Sequence, residues 1–226
     1  QAGLIDEAGN QVQTILSHDP DNADAVLLSS QIQVLRGETP DAEETLEASL
    51  AGRSGRPLAQ AYLARGNPKK CIEICRSVLK DSPDDAATRW LLARALLRTN
   101  DRPGCIEQLT AALKASPDHL PIYQSLALVL GADRGVTEVE TALAAIPGAR
   151  KDLINHASAA LLEQQGQYEA AAEAYGRVVA DTDAEPGNRI VARLRKARCL
   201  AAAGHADLAI VELDRVPDDH PLRAHA

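Results

Sequence analysis

The segment VLKDSPDDAATRWLL, residues 78–92, decides the fold. A helix-forming run reaches Asp81, a Ser-Pro-Asp-Asp turn interrupts it, and a new apolar run begins near Ala86. Proline cannot continue a helix, and Asp is a good cap for the next one. The segment therefore reads as helix end, turn and helix start. Similar text returns as ALKASPDHLPIYQSL at residues 112–126 and as ILSHDPDNADAVLL at residues 15–28. Pro83 and Pro117 lie 34 residues apart, as do Cys71 and Cys105, Gly3 and Gly37, and Ala8 and Ala42. One period shared by four pairs marks a repeat array.

Working outward from that segment, each repeat divides into two helices. A Gly or Asn that tolerates a left-handed backbone stands at the expected hairpin turns: Gly37, Gly66, Asn100, Gly166 and Gly204. Pro40, Pro68 and Pro103 fall where a second helix opens, a position that needs no N–H. A compact apolar residue then recurs at Ala8, Ala42, Cys71, Cys105, Val139, Ala171 and Ala209. One helical turn later comes a second apolar position, held by Val12, Leu46, Cys75, Leu109, Leu143, Tyr175 and Leu213.

Each unit resembles the tetratricopeptide repeat, a 34-residue helix–turn–helix. The resemblance rests on Leu58, Ala59 and Tyr62 in one first helix, Leu92 and Ala93 in the next, and Leu126 and Ala127 in another. Steps between the small-residue positions are 34, 29, 34, 34, 32 and 38, so several connections differ in length, and the repeat's Phe is replaced throughout. The resemblance implies an all-α fold: a right-handed superhelical solenoid of antiparallel helix-turn-helix repeats, with the first helices lining a concave wall. Residues 1–226 read as a single array. Residues 1–20 form a half hairpin, followed by hairpins at about 22–51, 52–85, 86–119, 120–151, 152–189 and 190–217; residues 218–226 start a further helix or a tail. The stripe Ala8, Val12 and Ile15 on the half hairpin is expected to need a cover from elsewhere.

Composition agrees with closely packed helices. Hydrophobic residues make up 45% and aromatics only 2%, so Ala, Leu, Val and Ile must fill the interior. The formal charge of −8, without a basic run, argues against nucleic acid as a partner. No apolar stretch is long enough for membrane insertion.

The chemistry-bearing residues point away from catalysis. Cys71 and Cys75 form a C-x3-C pair, but they occupy positions that hold Ala and Leu in other repeats, and Cys199 falls among apolar residues. Free cysteine packs as a small hydrophobe, so the thiols are expected to be buried and unbridged. Unpaired buried thiols suit a reducing compartment, which favours a cytoplasmic location. The six histidines are scattered without metal-ligand spacing, and the acidic clusters DPDNAD, SPDD and DTDAEP are caps and turns. No catalytic residue, cofactor or metal is expected, and the chain reads as a non-enzyme.

The expected binding surface is the wall of first helices. Helical projection places Arg53, Arg56, Gln60 and Leu63 there in one hairpin, and Trp90, Arg94, Leu97 and Arg98 in the next. Gln124 and Leu128, His156 and Glu163, and Leu194 and Arg198 follow in later hairpins. Arginines thus gather around the only tryptophan of the chain, and Trp and Arg dominate binding hot spots. In the alternative projection Trp90 slides by one residue into the core and the arginines are a solvated face. The reading is a protein-interaction scaffold whose groove takes a polypeptide segment, acidic and with an apolar anchor. The alternatives are a regulatory or substrate-recruiting arm of a larger, transferase-type enzyme, and a module that self-associates through uncapped ends.

Overall fold

The computed structural model describes residues 2–18, 25, 28, 29, 32, 33, 35, 36 and 55–216. Among these, all regular structure is helical and no strand occurs. The chain divides into two compact units, Gln1–Cys105 and Ile106–Ala226.

The first unit contains α1 (Ala2–His18), α2 (Gly55–Ala64), α3 (Pro68–Asp81) and α4 (Ala86–Arg98). α5 (Arg102–Ala115) runs through the boundary. The second unit holds α6 (Leu120–Leu130), α7 (Val136–Ala144), α8 (Lys151–Gln164), α9 (Tyr168–Ala180), α10 (Pro186–Ala202) and α11 (Ala206–Leu213). Within each unit, packing is between neighbours: α2 on α3, α3 on α4, α8 on α6 and α7, and α9, α10 and α11 each on the helix before it. Such nearest-neighbour burial is what a stacked repeat predicts.

The hairpin turns form for the expected reason. Gly66, Gly166 and Gly204 have φ of 80°, 74° and 87°, and Asn100, the non-glycine member of the set, has φ of 62°. At Gly66 the chain reverses into a helix whose cap is Asn67, accepting from the Lys70 N–H at 3.2 Å, with Pro68 at the first position. Gly37 and Pro40 lie outside the described residues. The compact positions Cys71, Cys105, Val139, Ala171 and Ala209 are all buried, as are Cys75, Leu109, Leu143 and Tyr175 one turn on. Ala42 and Leu46 lie outside the described residues, and so do most of the hairpin read at about 22–51 and the tail 218–226.

Two details differ from the sequence reading. On α1, Val12 is buried within the chain against Ala25 and Ile32, while Ile15 is exposed. Ala25 and Ile32 therefore cover part of the stripe. α10 opens at Pro186, four residues before the expected start, because proline at the first position and Glu185 before it begin the helix there.

Candidate functional site

In the first unit, α2 and α4 are the first helices of successive hairpins, and α3 packs against both. α4 begins at Ala86 because Asp85 caps it. The Asp85 carboxylate accepts from the Thr88 N–H at 3.0 Å and from the Thr88 hydroxyl at 2.6 Å. Arg56 of α2 reaches the same carboxylate at 3.5 Å. Burial acts to raise the Asp85 pKa, but the Thr88 hydrogen bonds and the Arg56 charge outweigh it and hold the group below its usual value.

The interior of α4 is filled by Thr88, Leu91, Leu92, Ala93, Ala95 and Leu96. Trp90 flanks that face and is half-buried, with the Arg94 guanidinium 5.3 Å from its ring centroid. A cation over indole contributes about 0.5–1 kcal/mol at such a site. Arg94 and Arg98 are exposed, as is Leu97 at 45%. Arg98 donates to the Leu63 carbonyl at 2.6 Å, tying the end of α4 to the last turn of α2. The same carbonyl also accepts from the Gly66 N–H of the hairpin turn at 3.2 Å.

The remaining expected wall residues divide. Arg56 and Gln60 are accessible on α2, and Arg53 lies outside the described residues. Leu63 is buried, contrary to the projection, because it stands one turn after the interior Ala59 and shares its face. Gln124 on α6 is half-buried in the second unit, with Leu128 exposed. His156 is also not a wall residue: it is 2% exposed and the Tyr175 ring of α9 meets it edge-on at 5.3 Å and 84°. Neither His156 nitrogen nor the Ser158 hydroxyl has a hydrogen-bond partner, and burial pushes the His156 pKa down.

Charge pairing is the feature that residue-by-residue reading missed. Glu163 accepts from the Tyr175 hydroxyl at 2.9 Å and pairs with Arg198 and, at 3.5 Å, with Arg195. Burial acts to raise the Glu163 pKa, yet the Arg198 and Tyr175 hydrogen bonds bring it below the ordinary value. Glu212 is buried on α11 among Lys196 at 2.8 Å, Arg215 at 3.2 Å and Arg193 at 3.3 Å. Arg150 pairs with Asp118 at 2.8 Å, Asp152 at 2.9 Å and Glu185 at 3.7 Å. Its N–H donates to the Tyr123 hydroxyl, which in turn donates to the Pro117 carbonyl. The signal available in the sequence was spacing: Arg198 and Glu163 are 35 residues apart, and Arg150 and Asp118 are 32. Each pair therefore joins one repeat to the next.

Beside Arg150 lies a cleft of about 900 Å³, lined by Lys151, Asn155, Arg177, Asp181, Thr182 and Asp183 among others. Its lining mixes both charges. Among the described residues no group of three or more His, Cys, Asp or Glu side chains could hold a metal ion, and no helix is long and apolar enough to cross a membrane.

A tetratricopeptide repeat family model matches residues 1–66, 62–128 and 162–226. No curated protein sequence matches. Among solved structures, the chain is similar to the human IFIT1 dimer with m7Gppp-AAAA, at 15% identity and a TM-score of 0.50. That likeness covers 95% of this chain and 57% of the other. It is similar to a tetratricopeptide repeat protein from Parabacteroides merdae at 14% identity and a TM-score of 0.46, covering 99% of this chain and 91% of that one. For a chain of the Cut9–Hcn1 hetero-tetramer of APC/C, identity is 14% and the TM-score 0.46, with 93% of this chain spanning 42% of the other. At these identities the likeness is one of fold. Tetratricopeptide repeats are in general protein-interaction scaffolds, and the fold is typically non-catalytic. On the strength of the family model, which accounts for most of its residues, the chain belongs to the tetratricopeptide repeat family.

Proposed function

We propose that the chain is a scaffold that binds a partner polypeptide segment on the first-helix face of its first unit, centred on Trp90. The observation that carries this reading is the half-buried indole under Arg94, next to exposed Leu97 and Arg98. Arg56 and Gln60 of α2 extend the surface. Arginines beside an aromatic and a leucine suit an acidic segment with an apolar anchor. Trp90 would supply contact area, and Arg94 and Arg98 would meet carboxylates. Arg56 already shares Asp85, so it contributes less.

The test compares Trp90→Ala with Arg94→Glu, using acidic peptides that carry one large apolar residue. Loss of a hot-spot aromatic costs at least about 2 kcal/mol, roughly 30-fold in affinity. Arg94→Glu is expected to slow association and reverse its salt dependence. If Trp90→Ala lowers the melting temperature sharply while Arg94→Glu leaves binding unchanged, Trp90 belongs to the core and the reading fails.

One observation favours self-association as a second reading. α11 exposes Leu208 and Val211, which share a helix face, and also Ile210. Light scattering at rising concentration, with Val211→Glu as the control, separates the two.

A further inference from the structure

Cys71 and Cys75 stand one turn apart at the start of α3, fully buried, with their sulfurs 3.9 Å apart and hydrogen-bonded. We propose that this pair is a two-thiolate site for a soft, monovalent, thiophilic metal ion, the ion taking the place of the two thiol protons.

Three features carry the assignment. The first is distance: two metal–sulfur bonds of about 2.3 Å span 3.9 Å at a bent angle, and a small side-chain rotation opens the pair toward linear coordination. The second is electrostatics. Cys71 lies in the first turn of α3, where the helix dipole favours negative charge, and Arg94 and Arg98 act on its sulfur from α4. The third is ligand number. No third His, Cys, Asp or Glu joins the pair among the described residues, so an ion that demands four protein ligands is not served. Soft thiolates select ions of the Cu(I) type.

The binding step conserves oxidation state. The ion forms two metal–sulfur bonds, each thiol releases its proton to solvent, and the pair is left with a single negative charge. Arg94 and Arg98 offset that charge. Cys105 and Cys199 are buried thiols outside the pair, and their pKa values are raised to about 11 by burial.

The probe is Cu(I), titrated without oxygen into the fully reduced chain against a chromophoric chelator. The parent and a Cys105→Ala/Cys199→Ala double variant should each bind one ion, with two sulfur neighbours in X-ray absorption. Affinity should fall about 100-fold for each unit of lowered pH, as two protons are displaced. Cys71→Ala and Cys75→Ala should each weaken binding on the order of 100-fold or more, since a thiolate ligand is lost. Cys71→Ala is suited to this because other repeats carry Ala at its position, and circular dichroism checks both folds. The proposal is overturned if the double variant takes up no ion, if its ion lacks two sulfur neighbours, or if folded Cys71→Ala binds like the parent. Should Cys75→Ala fail to fold, the double variant alone decides.

Discussion

The hairpins α2–α3 and α8–α9 occupy matching places in their units, and their corresponding residues lie 100 positions apart. Cys71 corresponds to Ala171, Cys75 to Tyr175, Arg56 to His156 and Leu63 to Glu163. In α2–α3 the two packing positions are small thiols in contact with each other, and Arg56 stays accessible beside Asp85. In α8–α9 the second position is filled by a fully buried tyrosine. Its hydroxyl needs a partner when buried, and Glu163 supplies it in place of the apolar Leu63. The carboxylate in turn draws in Arg195 and Arg198, and the ring covers His156. One enlarged side chain thus goes with a polar interior, where the other hairpin keeps an apolar one.

The largest expected effect tests that dependence. Tyr175→Ala should lower stability by about 3–5 kcal/mol, the range for deleting a buried aromatic, whereas Cys75→Ala should cost much less. Denaturant unfolding, read together with hydrogen exchange of α8–α9, measures both. Equal losses would break the comparison.

Next comes pH. His156 is buried with its pKa below the ordinary 6.5, so the unfolded chain binds the extra proton first. Its contribution is complete above about pH 6.5 and is lost as pH falls, by up to about 1.4 kcal/mol per pH unit. Asp152 and Glu163 on its own helix, Tyr175 on α9 and Arg195 on α10 are the ionisable groups around it. Glu163 and Asp85, both held below their ordinary values, weaken only at lower pH, as it falls through the carboxylate range. Hydrogen-exchange protection factors, which correct for the slower intrinsic exchange at lower pH, should therefore fall in α8–α9 before α2–α3 between pH 7 and 5. A simultaneous change would remove His156 as the cause.

Tyr175→Phe sharpens the comparison on a smaller scale. It keeps the packing and removes the hydroxyl from Glu163, for an expected loss of about 1–2 kcal/mol. The smallest effect is expected from Arg56→Ala, below about 1 kcal/mol for an accessible ion pair. A larger loss in thermal melting would show that Arg56 is as deeply committed to packing as His156.

These contrasts mark where sequence is legible. The period, the left-handed turn at Asn100 and the burial of Cys71, Cys105 and Ala171 follow from local chemistry repeated at fixed spacing. Trp90, Arg94 and Arg98 were readable as first-helix residues; their mutual geometry was not. Projection of an isolated helix placed Leu63 and His156 on an open wall because it omits what neighbouring turns and helices lay over them. The Glu163 and Glu212 clusters escaped notice for a related reason. Their partners are chosen by the way one hairpin settles on the next, and no short motif encodes that.

Arg150 has a consequence for proteolysis. Arg150-Lys151 is a dibasic pair where the connection from α7 meets the start of α8, an attractive trypsin target by composition. A protease must take the arginine into its specificity pocket and draw the strand out in extended form. Here the guanidinium is held by Asp118, Asp152 and Glu185, the N–H is bonded to Tyr123, and α8 begins at the next residue. The bond is sequestered by its own side chain, so nicking there reports that this connection has opened.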